Sequence, residues 1–487
     1  MDDREQAALE AVPDRLLIGG EWREGAGGER FPVEDPATEQ TIREVADARP
    51  EDAVAALDAA VAAQPRWAAT APRERADVLR RAYETMLARA DDLALVMTLE
   101  MGKPLEQSRE EVAYAAEYLR WFSEEAVRIE GGFQTAPDGR RRMLVMRQPL
   151  GPALAILPWN WPLVMAARDL APALAAGCTM VLKPARDTPL STLALAAILE
   201  ESGAPAGVVN VIPGSSSSDV TEPLIEDPRL RLLTFTGSTE VGRALMAEAA
   251  EQTLRVSMEL GGNAPFLVFA DADLDDALEG AMLAKVRNVG ESCTAANRFL
   301  VADPLAGAFA DRLAERMGSL RMGRGTDPGV QLGPLANREQ QDTVAELVED
   351  ALARGARALV GGRRHEGPGY FYPPTVLCDV PPDARVLNEE IFGPVAPVVP
   401  FGTEEDAVRA ANDTEYGLVA YLYTRDLMRA LRVAESLEVG MIGLNQGVVS
   451  NPAAPFGGVK HSGFGRKGGR QGMDEYLETK YVALAVE

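Results

Sequence analysis

Two side chains in this sequence could carry out covalent chemistry together. Cys293 sits in Asn288-Val-Gly-Glu-Ser-Cys293-Thr-Ala-Ala-Asn-Arg298, a run of small and polar residues. Upstream, Glu259 sits in Ser257-Met-Glu259-Leu-Gly-Gly-Asn-Ala-Pro-Phe266. A thiolate attacks a carbonyl carbon, and a carboxylate takes the proton of the water that later releases the acyl group. Such a pair requires an oxyanion site and an electron acceptor from the rest of the chain.

Candidates for both follow strand-like segments, where ligands bind in parallel sheets. Leu157-Pro-Trp-Asn160-Trp-Pro162 is a rigid, bulky turn after a strand. The Asn160 amide there could donate to an oxyanion or simply brace its own turn, and the local sequence favours neither. Apolar Leu232–Thr236 runs into Gly237-Ser-Thr-Glu-Val-Gly242 and a helix with Val241, Ala244, Leu245 and Ala249 on one face. With Ser238 as cap, its free N–H groups could hold a pyrophosphate. The spacing is neither GxGxxG nor a P-loop, and a plain strand–helix turn is the commoner case. Lys183, in Leu182-Lys-Pro-Ala-Arg186-Asp-Thr-Pro189, could reach a ribose or phosphate, or be a solvated charge. The carboxylate in Asn388-Glu-Glu390-Ile-Phe392 could hold ribose hydroxyls, or be a surface acidic turn.

The elements that must position these residues are legible from periodicity. Residues 51–66 and 73–129 have helical spacing. Residues 131–140 are turn-rich, and 141–148 alternate like an exposed strand, together an arm rather than core. From 151 the pattern alternates. Strands are expected at 153–157, 179–183, 207–212 and 230–235, with helices near 163–176, 190–202 and 239–251. A second series runs from about 262 to 460, and 480–487 is a terminal strand. Repeated strand–helix units imply parallel sheets covered on both faces.

Composition narrows the function classes. At 487 residues the chain can hold two or three domains. The net charge of −25 argues against nonspecific binding to nucleic acid or anionic membrane. Any anion site must therefore be built from local arginines. Lysines are few, which fits genomic base composition better than salt adaptation. Cys178 and Cys378 lie in apolar segments and read as buried fillers. Two histidines and no paired cysteines argue against a metal site. No apolar run approaches membrane-spanning length. The acidic segment Met1-Asp-Asp-Arg-Glu-Gln, without an apolar core, points to a cytoplasmic protein.

Taken together and in this order, these motifs closely resemble the aldehyde dehydrogenase superfamily, from about residue 15 to the C-terminus. The resemblance implies that Cys293 is the nucleophile and Glu259 the general base. It implies that Asn160, with the backbone N–H of Cys293, forms the oxyanion hole. Trp159, Lys183, Gly214, Phe235, Gly237, Ser238, Glu390 and Phe392 fall where the family meets its nicotinamide dinucleotide. The implied reaction passes through a thiohemiacetal and a thioester, and Glu259 favours hydrolysis over transfer to coenzyme A. Within the superfamily the chain is most similar to succinate-semialdehyde dehydrogenases. Arg168, Arg287 and Ser450 match the residues that hold the substrate carboxylate there. Glutarate semialdehyde or a neutral aldehyde is the alternative substrate, and a non-catalytic protein on this fold the alternative class.

The implied fold is α/β, with two Rossmann-like parallel-sheet domains plus a β oligomerisation arm. Residues 1–127 and 150–260 would form the NAD(P)-binding domain and 261–460 the catalytic domain. Residues 128–149 and 461–487 would form the oligomerisation arm and C-terminal strand of a homodimer or homotetramer. Three departures from the family pattern carry expectations. Arg186 stands where NAD-using members commonly carry Glu, so NADP is expected to be preferred over NAD. Ala295 stands where redox-switched relatives carry a second Cys, so no local disulfide is expected. Asp169 and Lys467 stand where the family usually has Lys and Glu, which implies a swapped ion pair near Glu259.

Overall fold

The computed structural model describes residues 1–485; Val486 and Glu487, which end the expected terminal strand, lie outside the described residues. The first sheet has eight strands. Its parallel centre runs in the spatial order Val209–Val211, Met180–Lys183, Ala153–Ile156, Leu232–Thr236, Arg255–Glu259. Strand order thus reverses between Ala153–Ile156 and Leu232–Thr236. At such a switch point the following loops diverge to opposite faces and leave a crevice at the strand C-termini. The loops after those two strands carry Trp159-Asn160 and Gly237-Ser238. Antiparallel Leu16–Ile18 and Glu21–Arg23 extend one edge, and Gly463–Phe464 caps the other beside Arg255–Glu259.

Central strands alternate between two cores. Ala153 and Ala155 face a cluster with the helices Pro72–Ala88, Leu105–Glu125 and Pro162–Ala176, while Leu154 and Ile156 face the other. Burial on both faces accounts for their uninterrupted apolar sequence. A second, seven-stranded sheet has Ala264–Val268, Ala296–Ala302 and Val395–Phe401 near its centre. The segments carrying Gly262, Cys293 and Glu390 lead into the N-terminal ends of those three strands. The site therefore lies between the C-terminal ends of one sheet and the N-terminal ends of the other. A third sheet pairs Gly132–Thr135, Arg141–Pro149 and Leu477–Ala485 antiparallel, from Leu477↔Pro149 to Ala485↔Arg141.

Three sequence expectations need correction. The helical run 73–129 is divided into Pro72–Ala88, Ala90–Met101 and Leu105–Glu125. Gly102 breaks it at φ +89°, where a Cβ would lie 2.7 Å from Pro36 and Pro334. In the helix Thr239–Glu251, Val241 and Ala244 are exposed, and the buried face is Gly242, Leu245 and Ala249. The burial of Gly242 comes from close approach, with a Cβ only 2.3 Å from Leu260 Cδ2, which apolar periodicity does not mark. Cys178 is buried, but Cys378 is half-exposed where Thr375–Cys378 meets antiparallel Arg357–Val360. The short N-terminal strands and the helix Ser217–Ile225 had no periodicity long enough to read.

Candidate active site

Cys293 is delivered by a strained loop. After the helix Leu274–Val286 the chain turns through Asn288 (φ 55°), Val289 (φ 59°) and Gly290 (φ 81°). A β-branched residue in the left-handed region is costly, and such strain persists only where surroundings fix it. Val289 is fully buried, and a Cβ on Gly290 would lie 2.3 Å from the Gly393 carbonyl oxygen. This packing seats the loop before the strand Ala296–Ala302.

Cys293, Glu259 and Asn160 line one cavity of about 330 Å³ with Trp159, Gly237, Ser238, Glu390 and Phe392. Far apart in sequence, all eight converge at the switch point. Asn160 is buried, and its Nδ2 donates to the Glu291 carbonyl (3.0 Å). One of its two N–H bonds is thus engaged and the other is left for the cavity. Burial pushes the Cys293 thiol up to about 12, offset in part by Arg168 and reinforced by Glu390 and Glu259. At neutral pH the thiol keeps its proton until a base removes it. Burial pushes Glu259 up to about 8, against Lys467, Arg168 and Arg466. Neither Glu259 oxygen has a hydrogen-bond partner among the described residues. It is a carboxyl that titrates near neutrality, and its ionised form can take a proton.

The other end of the cavity fits a nicotinamide dinucleotide. Ser238 caps the helix Thr239–Glu251, its Oγ accepting the Val241 N–H (3.3 Å), so the helix N-terminus faces the crevice. A Cβ at 237 would lie 2.4 Å from the Phe235 ring, so any larger residue there would have to displace that ring. Glu390 is not a surface turn residue: it accepts the Gly262 N–H (2.9 Å), and burial raises it to about 7. The Phe392 ring meets Trp159 edge-on, with centroids 5.4 Å apart. Lys183 is buried at the end of Met180–Lys183; burial lowers it to about 8 while Asp187 and Asp47 favour its charge. Arg186 is exposed and has no side-chain hydrogen bond or ion pair among the described residues. Lys183, Arg186, Gly214 and Phe235 do not line the cavity, and the Phe235 ring underlies Gly237 instead.

On its opposite side Cys293 faces a narrow chamber lined by Trp161, Arg168, Arg287, Ser292, Ser450 and Phe456, among others. Arg168 is 2% exposed. Its guanidinium lies 4.2 Å from the Phe456 ring centre and 5.5 Å from that of Tyr118. Two of its nitrogens, Nε and Nη1, have no partner among the described residues. The Arg287 guanidinium lies 4.6 Å from the Trp161 ring. An unsatisfied guanidinium in an aromatic box is a strong receptor for a planar anion. Next to Glu259, the Asp169–Lys467 pair forms at 2.9 Å, with both side chains buried. Thr234 and Tyr476 donate to Asp169, and Lys467 donates to Thr236.

The sequence reading missed Lys103, Glu111 and Asn288, which brace this site from behind. Nothing around Lys103 or Glu111 in sequence sets them apart from surface helix residues. Among the described residues no three His, Cys, Asp or Glu side chains cluster as a metal would need.

A half-buried thiol, a raised carboxyl and an amide donor share one crevice with a helix N-terminus, the equipment of a class that oxidises carbonyl compounds through the thiol. The chain belongs to the aldehyde dehydrogenase family, whose model matches residues 22–482. It has the α/β fold of that family, with two Rossmann-like sheets. It is 59% identical over 441 residues to a succinate-semialdehyde dehydrogenase of Paenarthrobacter nicotinovorans, covering 91% of this chain and 98% of the relative. It is 48% identical to a glutarate-semialdehyde dehydrogenase of Pseudomonas aeruginosa, covering 96% and 97%. The crystal structure of an NADP-dependent enzyme of E. coli superposes with TM-score 0.97 at 47% identity, covering 99% of each chain.

Proposed function

We propose that the protein oxidises a short carboxylated aldehyde, succinate semialdehyde foremost, to the free acid. The observation that carries this reading is that Cys293 lines both the cavity and the arginine chamber. A substrate whose carboxylate meets Arg168, Arg287 and Ser450 presents its aldehyde carbon to the thiol. The Sγ proton passes to the Glu259 carboxylate, which releases it to solvent before the hydrolytic step, and the thiolate attacks that carbon. Asn160 Nδ2 and the Cys293 backbone N–H then hold the oxyanion. A nicotinamide dinucleotide bound in the crevice would accept hydride and leave a thioester on Cys293. Glu259 takes a proton from water as its oxygen attacks the thioester carbon; the C–S bond breaks and the acid leaves.

Trp159, Lys183, Gly214, Phe235, Gly237, Ser238, Glu390 and Phe392 form the dinucleotide surface in this reading. Phe235 acts by supporting Gly237. Unpaired Arg186 beside Lys183 favours a 2′-phosphate, hence NADP over NAD. Residues 1–127 with 150–260, and 261–460, serve as the cofactor-binding and catalytic domains. The arm of 128–149 and 461–487 mediates a homodimer or homotetramer. Its exposed Phe133, Tyr481 and Leu484 support that role. No described helix is long and apolar enough to cross a membrane, and we place the enzyme in the cytoplasm.

Steady-state kinetics with succinate semialdehyde, glutarate semialdehyde and butanal, each with NADP and with NAD, tests the reading. The highest kcat/KM is expected for succinate semialdehyde with NADP. Preference for glutarate semialdehyde would select the alternative substrate, and preference for butanal would remove the carboxylate reading.

A further inference from the structure

Behind Asn160 lies a charged pair that the chemistry above does not use. Lys103 follows the break after helix Ala90–Met101 and is 0% exposed. Its ammonium donates to Glu111 (2.5 Å) and to the main-chain carbonyl of Asn160 (3.1 Å). It also lies 4.3 Å from the centre of the Trp161 ring, the same indole that Arg287 covers. Glu111 is equally buried, and its second oxygen accepts the N–H groups of Leu163 (3.0 Å) and Val164 (3.1 Å). Those are the first free donors of the helix Pro162–Ala176 that follows the Asn160 turn.

The same segment reaches the nucleophile loop. Gln107 accepts the Asn288 N–H (2.8 Å). The Asn288 amide in turn donates to the carbonyls of Asn160 (2.9 Å) and Glu291 (2.8 Å). The Glu291 carbonyl also receives the Asn160 amide. Residues 103–111 therefore hold the Asn160 main chain, the start of its helix and the loop bearing Cys293. A buried ion pair is a weak source of stability, because desolvation offsets its attraction. It is a strong source of position, since each ion here has two or more directional partners.

We propose that Lys103, tethered by Glu111, is a positioning residue for the oxyanion site. It fixes the Asn160 main chain so that the free amide N–H stays aimed at the oxygen of the aldehyde attached to Cys293. The proposal rests on Asn160 being the oxyanion donor. Misplacement of such a group by about 1 Å costs on the order of a hundredfold in rate.

The test is the pre-steady-state burst of reduced cofactor with saturating NADP and succinate semialdehyde. It compares the unaltered enzyme with Lys103→Met, Asn160→Ala and the double variant. Alkylation of Cys293 by iodoacetamide is followed in parallel; that reaction forms no oxyanion and reports an intact, accessible thiol and its ionisation. Asn160→Ala should slow the burst about a hundredfold or more. Lys103→Met should slow it at least about tenfold, with alkylation unchanged, and the double variant should be no slower than Asn160→Ala. An unchanged burst in Asn160→Ala would overturn the reading of Asn160 itself. If Asn160→Ala is slow but folded Lys103→Met is not, or if the two effects multiply, the positioning role is wrong. Should Lys103→Met fail to fold, Glu111→Gln keeps the shape and the acceptor for Leu163 and Val164 while releasing the ammonium. A slowed burst with normal alkylation in that variant supports the proposal, and an unslowed one refutes it.

Discussion

Replacing Arg168 with Met should separate carboxylated from neutral aldehydes. The side chain is 2% exposed, boxed by Tyr118 and Phe456, and two of its nitrogens lack partners among the described residues. A carboxylate bound there is cut off from water, so truncating the cation leaves it desolvated and unpaired. Losing one member of a buried, hydrogen-bonded charge pair costs about 2–5 kcal/mol. At about 1.4 kcal/mol per factor of ten, that is roughly 30-fold to several thousand-fold in kcat/KM for succinate semialdehyde. Arg168 also favours the charged forms of Cys293 and Glu259, so some general loss will accompany its removal. Butanal measures that general part, because it has no carboxylate to lose. The assay is kcat/KM for both aldehydes at saturating NADP, with melting temperature as the folding control. We expect the ratio of the two values to fall at least about 30-fold. Arg287, half-exposed and stacked on Trp161, should cost less when replaced. Equal losses on both aldehydes would refute the carboxylate clamp and leave Arg168 an electrostatic role alone.

Three further outcomes follow from the same geometry. Arg186→Glu should reverse the NADP/NAD ratio of kcat/KM, and an unchanged ratio would show that this exposed cation does not meet the 2′-phosphate. Glu259, raised to about 8, is protonated below that pH and competent as a base above it. The hydrolysis rate should therefore climb with pH to a midpoint near 8, whereas Glu259→Gln should stop after one burst of reduced cofactor; a flat profile between pH 6 and 9 would remove the base. Asp169→Asn breaks a buried pair and should destabilise the protein by about 3–5 kcal/mol, read as a drop in melting temperature, while the reversed pair Asp169→Lys with Lys467→Glu should restore most of it. Full stability of Asp169→Asn would refute the coupling.

The sequence by itself determined the alternation of strands and helices from residue 151 onward, because side chains buried on both faces leave long apolar runs. It also marked Cys293 and Glu259, whose frames of Gly and other small residues stand out in a linear reading. The three arginines and the paired inversion at Asp169 and Lys467 were legible through the resemblance, which orders residues that local chemistry leaves ambiguous. Glu390 and Asn160 were undecided locally, since a carboxylate in a turn or an amide after a strand looks alike whether exposed or buried. Only the tertiary structure resolved them, by setting Glu390 on the Gly262 N–H and turning Asn160 toward the Cys293 loop. Gly242 and Gly237 belong with these, because what favours glycine there is a neighbour distant in sequence or a ring folded back beneath it. Lys103, Glu111 and Gln107 could not be read at all. Their helical spacing is ordinary, and their importance comes from partners 52 to 181 residues away. Periodicity is a local property of the chain, whereas burial and partnership at this site are made by two sheets meeting end to end.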